Sequence, residues 1–177
     1  MKKAGLAYVA NCNEDRLTSM MKRQKDGLSV MPFDIVPHQH YTLAEAHQLR
    51  AVLDLVDNNG IELSEACYVT QAIGELPRHP LNHMRSEGDL WIGAGLVWDE
   101  SFPGYWKFKV AGFFGDLATQ SNAKMEREFS SCELARTVSV NVSRSADYVR
   151  KRALELGLPE GEDYSDAFLV KRLTRGR

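Results

Sequence analysis

Five histidines, His38, His40, His47, His79 and His83, are the side chains with the most obvious capacity for chemistry. His38, His40 and His47 could be drawn as a zinc or nickel site, because neutral imidazole is a ligand for both. No cysteine or carboxylate stands at a recognised ligand spacing around them, so they read as surface histidines and no metal is expected. The three cysteines, Cys12, Cys67 and Cys132, form no CxxC pair. That argues against a disulfide framework and against a sulfur-rich zinc site. The chain has no GxSxG elbow, P-loop, GxGxxG or HExxH, each of which carries a definite catalytic or phosphate-binding geometry. Asp99-Glu100 and Glu160, Glu162 and Asp163 fall in turn-like stretches and read as solvated charge. Neither an enzyme nor a cofactor is expected.

The basic residues offer a different chemistry. Against a formal net charge of −2, the charge is unevenly spread. Residues 1–27 hold Lys2, Lys3, Arg16, Lys22, Arg23 and Lys25 against Glu14, Asp15 and Asp26, whereas residues 28–84 hold only Arg50 and Arg78 among many acids. The last ten residues contain Lys171, Arg172, Arg175 and Arg177 and no acid. A phosphate backbone responds to local charge, so both ends of the chain could meet a polyanion. Arg16, Thr18, Ser19, Lys22, Arg23 and Lys25 are the candidate contacts near the start. They mix cations that hold phosphate with hydroxyls that reach base edges.

Two short helices must position them. Ala4, Leu6, Ala7, Val9 and Ala10 suit a buried helix ending near Asn11-Cys12-Asn13. Asn13 is a good N-cap for a second helix, with Glu14 and Asp15 in the first turn where the helix dipole favours negative charge. That helix would run to about Gln24 and turn Leu17, Met20 and Met21 inward. Helix, short turn and a second helix with a basic face is the layout of a helix-turn-helix. Residues 26–41, with Gly27, Pro32 and Pro37, read as a short hairpin or loop. Thr42 and Glu45 then have capping-box spacing, and Leu43 to Val56 make a long amphipathic helix that Asn58-Asn59-Gly60 stops. A further helix follows Ser64.

Tyr41-Thr42-Leu43-Ala44-Glu45-Ala46, a helix, and Asn59-Gly60-Ile61-Glu62-Leu63-Ser64-Glu65-Ala66 resemble the DNA-binding domain of MerR-type winged-helix regulators. The resemblance covers residues 3–75 and is most specific over residues 40–66. It implies a helix-turn-helix, then a small wing, then a helix pair, with double-stranded DNA as partner. The wing candidates are then Lys25, His38, Gln39, His40 and Tyr41. Thr18, Ser19 and Met20 stand where that family carries an arginine and paired aromatics, and Gln39 stands at its usual wing arginine.

The second half departs from the long dimerising helix common in that family. Leu90, Ile92, Ala94, Leu96 and Trp98 alternate as in a buried strand, and Trp106, Phe108 and Val110 alternate with Lys107 and Lys109 as in a strand with one wet face. Ser101 to Gly104 would turn between them. Val138, Val140 and Val142 alternate with Thr137, Ser139 and Asn141 as a third strand. Residues 116–128 could form a helix, and Ser145 could cap another ending at Gly157. Trp91, Trp98 and Trp106 gather in the hairpin; aromatics there are more often core than a ligand pocket.

The expectation is therefore an α+β chain: a MerR-like winged helix-turn-helix over residues 1–76, a small α+β domain with at least three strands over residues 85–157, and a basic tail over residues 158–177. Sequence-specific DNA binding, as a transcriptional regulator, is the expected function. A homodimer is expected because one short recognition helix reads few bases. A small-molecule or protein effector would act at the second domain. A phage DNA-packaging or recombination accessory protein, and an interaction module that no longer binds DNA, are the alternatives. No membrane-spanning or signal segment is apparent, so a cytoplasmic protein is expected.

Overall fold

A computed structural model of the chain describes residues 1–35, 40–72, 89–98, 106–114, 127 and 133–158. Five helices and three strands lie among them: α1 (Lys3–Ala10), α2 (Glu14–Lys25), α3 (Leu43–Asn59), α4 (Leu63–Ala72), β1 (Leu90–Trp98), β2 (Trp106–Phe114), β3 (Glu133–Asn141) and α5 (Val142–Glu155). The architecture is mixed α and β. No helix among the described residues is long and apolar enough to cross a membrane.

Local chemistry sets most helix ends. Asn11 adopts the left-handed conformation (φ 55°) that closes α1, which asparagine tolerates better than most residues. Asn13 then caps α2 by accepting from the Asp15 amide at 2.8 Å. Thr42 and Glu45 form the full capping box of α3: Thr42 Oγ1 accepts from the Glu45 amide, and the Glu45 carboxylate accepts from the Thr42 amide at 2.7 Å. Gly60, at φ 63°, ends α3 in the left-handed region, where a Cβ would be strained.

The start of α5 differs from expectation. Asn141, not Ser145, is its cap, accepting from the Arg144 amide at 2.9 Å. The strand runs into the helix without a loop, so Val142 opens α5 rather than closing β3. Ser145 lies inside the first turns and hydrogen-bonds Asp54 and the Asn141 carbonyl instead.

The segment after α2 holds no strand among its described residues, 26–35 and 40–41. It is pinned instead by one side chain: Gln24 Oε1 accepts from the Val30 and Met31 amides at 2.9 and 3.0 Å. Val30 and Met31 are buried beneath it, and the Met31 carbonyl accepts from Gln71 of α4. This segment therefore closes against the helices through its own backbone.

The sheet has the order β2-β1-β3, all antiparallel. Ala94 of β1 lies opposite Val110 of β2 and Val138 of β3. The register slips between Leu96 and Val97, a bulge that bends the end of the β1–β3 pair. The proposed turn at 101–104, the helix at 116–128 apart from Arg127, and the tail beyond Leu158 lie outside the described residues.

Two apolar clusters hold these elements, and both cross the boundary expected between residues 76 and 85. The first joins Leu6, Val9, Leu17, Met20, Leu49 and Leu53 to Val149 and Ala153 of α5. The second joins Val52, Leu55, Ile61, Ala66, Cys67 and Val69 to Ala94, Val138, Val140 and Val142. Read from the sequence alone, the valine face of β3 should pack within residues 85–157 or against a second subunit, because the first helices would use up their own apolar surface; it packs instead on α3 and α4. α3 is apolar on more than one side, with Leu49 and Leu53 facing the first cluster and Val52 and Leu55 the second. A helix buried nearly all round needs partners on several sides, and here the sheet and α5 supply them.

Candidate nucleic-acid interface

The exposed face of α2 is basic, carrying Lys22, Arg23 and Lys25. Its apolar side is fixed by Leu17, Met20 and Met21 in the first cluster. The 3.6-residue period then turns Thr18, Ser19, Lys22, Arg23 and Lys25 to solvent, and all five are exposed. Lys22, Arg23 and Lys25 fall in the last turn, where positive charge also complements the helix dipole.

The remaining candidates behave differently. Arg16 makes a two-pronged ion pair with Asp57 of α3, with both N···O distances 2.9 Å. Its hydrogen bond to Asp57 holds its guanidinium, already a strong base, still more firmly protonated, against a smaller opposing effect of burial. Arg16 thus ties α2 to α3. Thr18 Oγ1 donates to the Glu14 carbonyl at 2.6 Å and accepts from Lys3 Nζ at 3.0 Å. Its hydroxyl is committed within the chain. Tyr41 is buried (7% exposed), and its ring is tilted against Phe33 at 6.0 Å between centroids. Its backbone pairs with Met1 in both directions, the amide donating to the Met1 carbonyl at 2.7 Å and the carbonyl accepting from the terminal ammonium at 2.5 Å. His40 is exposed; His38 and Gln39 lie outside the described residues.

Two partners escaped the sequence reading. Lys3 opens α1, yet the Thr18 contact brings its ammonium onto the flank of α2. Asp57 lies near the end of α3 and reaches Arg16. Nothing local marks either one, because the contacts span 15 and 41 residues. The fold therefore brings Lys3, Ser19, Lys22, Arg23 and Lys25 to the outer flank of α2, pairs Arg16 with Asp57, buries Tyr41, and ties Thr18 to Glu14 and Lys3.

Among the described residues, His47, Cys12 and Cys67 are buried in the scaffold. His47 is 2% exposed, with Nε2 3.0 Å from the Val142 carbonyl. Cys67 is fully buried and its thiol is pushed up to about 12 by desolvation. Such a thiol packs as a small hydrophobe. Burial also raises the Cys12 thiol, with Arg16 opposing. No family model and no curated protein matches the chain.

Proposed function

We propose that the protein is a sequence-specific DNA-binding protein, acting as a transcriptional regulator, that lays α2 in the major groove of a duplex. The observation that carries this reading is the division of α2 into a packed face of Leu17, Met20 and Met21 and an exposed face bearing Ser19, Lys22, Arg23 and Lys25. Charged groups of this kind set register on the phosphates, and a small hydroxyl between them can reach a base edge. The winged helix-turn-helix is part of the same reading: α1, a turn at Asn11 to Asn13, α2, an irregular segment in the place of a wing, and the α3–α4 pair. The resemblance of residues 40–66 to MerR-type regulators supports it. A homodimer would set two copies of α2 on a two-fold symmetric site.

Selection of bound duplexes from a random pool by the full-length chain tests this directly. A short enriched motif, repeated with inverted symmetry about one helical turn (~10 base pairs) away, is the expected result. A pool that stays random while the protein remains folded would leave the surface to a protein partner instead. The pairing of Arg16 with Asp57 and the burial of Tyr41 are the observations that favour that second reading.

A further inference from the structure

A cleft of about 280 Å³ opens where α3, β3 and the start of α5 meet. At its centre Asp54 has both carboxylate oxygens occupied. Arg50 grips them through Nε and a terminal nitrogen, Ser145 Oγ donates to one at 2.7 Å, and Asn58 Nδ2 donates to the other at 3.2 Å. The only carboxylate lining the cleft is thus satisfied internally.

The side-chain amides of Asn58, Asn59 and Asn141 already donate to Asp54, to the Asp54 and Ser139 carbonyls and to Asp89, so the donors left open on the walls belong to the guanidinium groups. Arg144 is 79% exposed along its side chain, and its ion pair to Asp89 is a loose 3.7 Å contact. Arg50 spends its other terminal nitrogen on the Ala10 carbonyl at 3.5 Å, at the limit of a hydrogen bond, and keeps further N–H groups unspent. Tyr148 adds an aromatic ring to the wall, 5.2 Å from the Arg50 guanidinium carbon and 5.7 Å from that of Arg152. A cleft whose lining carboxylate is neutralised, and which sets guanidinium donors beside an aromatic ring, favours an acceptor-bearing ligand with a flat body.

We propose that this cleft binds a small aromatic anion, carrying a carboxylate or a phosphate monoester, with Arg144 holding the charged group and the ring lying against Tyr148. The site does not depend on the DNA reading, because it shares no residue with the α2 surface. Six of its lining residues, Ser139, Val140, Asn141, Arg144, Ser145 and Tyr148, belong to the second domain, where an effector is expected.

The full-length chain, titrated with benzoate and separately with phenyl phosphate, tests the site by amide chemical shifts. Saturable shifts at Asn58, Asn59, Asn141 and Ser145 are expected with at least one of the two, and the tighter one identifies the charged group. Arg144→Gln, a change at a largely exposed side chain, should weaken that binding by about tenfold or more, in line with the loss of a charge-assisted contact. Tyr148→Leu should weaken it too, while inorganic phosphate, which has no ring, should bind more weakly than phenyl phosphate. Shifts that fail to saturate with either probe at millimolar concentration would overturn the proposal. So would saturable shifts that Arg144→Gln leaves unchanged in a variant with wild-type melting temperature.

Discussion

His47 sits at the junction of α3 and α5, where its hydrogen bond fixes its tautomer and its burial decides its protonation. Since a carbonyl can only accept, Nε2 must carry the hydrogen, and Nδ1 is left as a buried lone pair with no hydrogen-bond partner. Desolvation lowers its pKa from 6.5 to about 4, helped by the positive charge of Arg150 and opposed by the Val142 hydrogen bond and Asp54. The folded state therefore holds His47 neutral down to a pH at which the unfolded chain has already taken up a proton. Stability from this residue is complete above about pH 6.5 and is lost as the pH falls through that value to about 4, at roughly 1.4 kcal/mol per pH unit, or about 3 kcal/mol in all. Urea unfolding of wild type and His47→Gln at pH 7 and pH 4.5 measures this. The difference between the two proteins should shrink by about 2 kcal/mol at the lower pH. Parallel losses in both proteins would place the acid sensitivity elsewhere. Sequence alone left His47 among the surface histidines, because nothing near it in the chain reveals that the Val142 carbonyl, 95 residues away, faces it.

Helix ends were legible because they are local. Asn13, Thr42 with Glu45, and Gly60 each act within a few residues of their own position, so residue type and spacing carried the inference. The strand positions were legible for the same reason, since period-two alternation needs no partner to be seen. The start of α5 was misread where two plausible caps, Asn141 and Ser145, compete. The choice turned on Asp54, an acceptor for Ser145 that is 91 residues distant. What the strands pack against was also misread, and this carries a prediction. Val140 is 5% exposed and shares its cluster with Val52 and Leu55 of α3 and with Ala66 and Val69 of α4. Val140→Asp places an unpaired charge in that cluster and should cost several kcal/mol, about 3 or more. Since the cluster spans both halves, circular dichroism at 222 nm and tryptophan fluorescence should lose their transitions together, with α3 and α4 melting along with the sheet. Survival of the full helical signal in the variant would show that the halves are independent after all.

Across the whole molecule, the division into an N-terminal helical module and a second domain described the order of elements but not their packing. Composition reports where charges lie and alternation reports faces. Neither reports that α3 has two buried sides, since an apolar helix can meet its partners within one module or across two. The candidate site was half legible on the same grounds. The exposure of Ser19, Lys22, Arg23 and Lys25 follows from the period of α2, whereas the pairing of Arg16 with Asp57 and the recruitment of Lys3 depend on how α1, α2 and α3 meet. On the proposed reading this exposed face meets DNA. A fluorescence titration of the full-length protein with a selected duplex, repeated across a salt series for wild type and the Lys22→Ala/Arg23→Ala variant, tests that reading most directly. Both side chains are exposed, so the variant should keep the wild-type melting temperature. If each cation meets one phosphate, the variant should bind more weakly, and its slope of log affinity against log salt should be shallower by about 0.9 per lost contact, or roughly 1.8 in all. An affinity and a slope identical to wild type would contradict α2 as the contact surface.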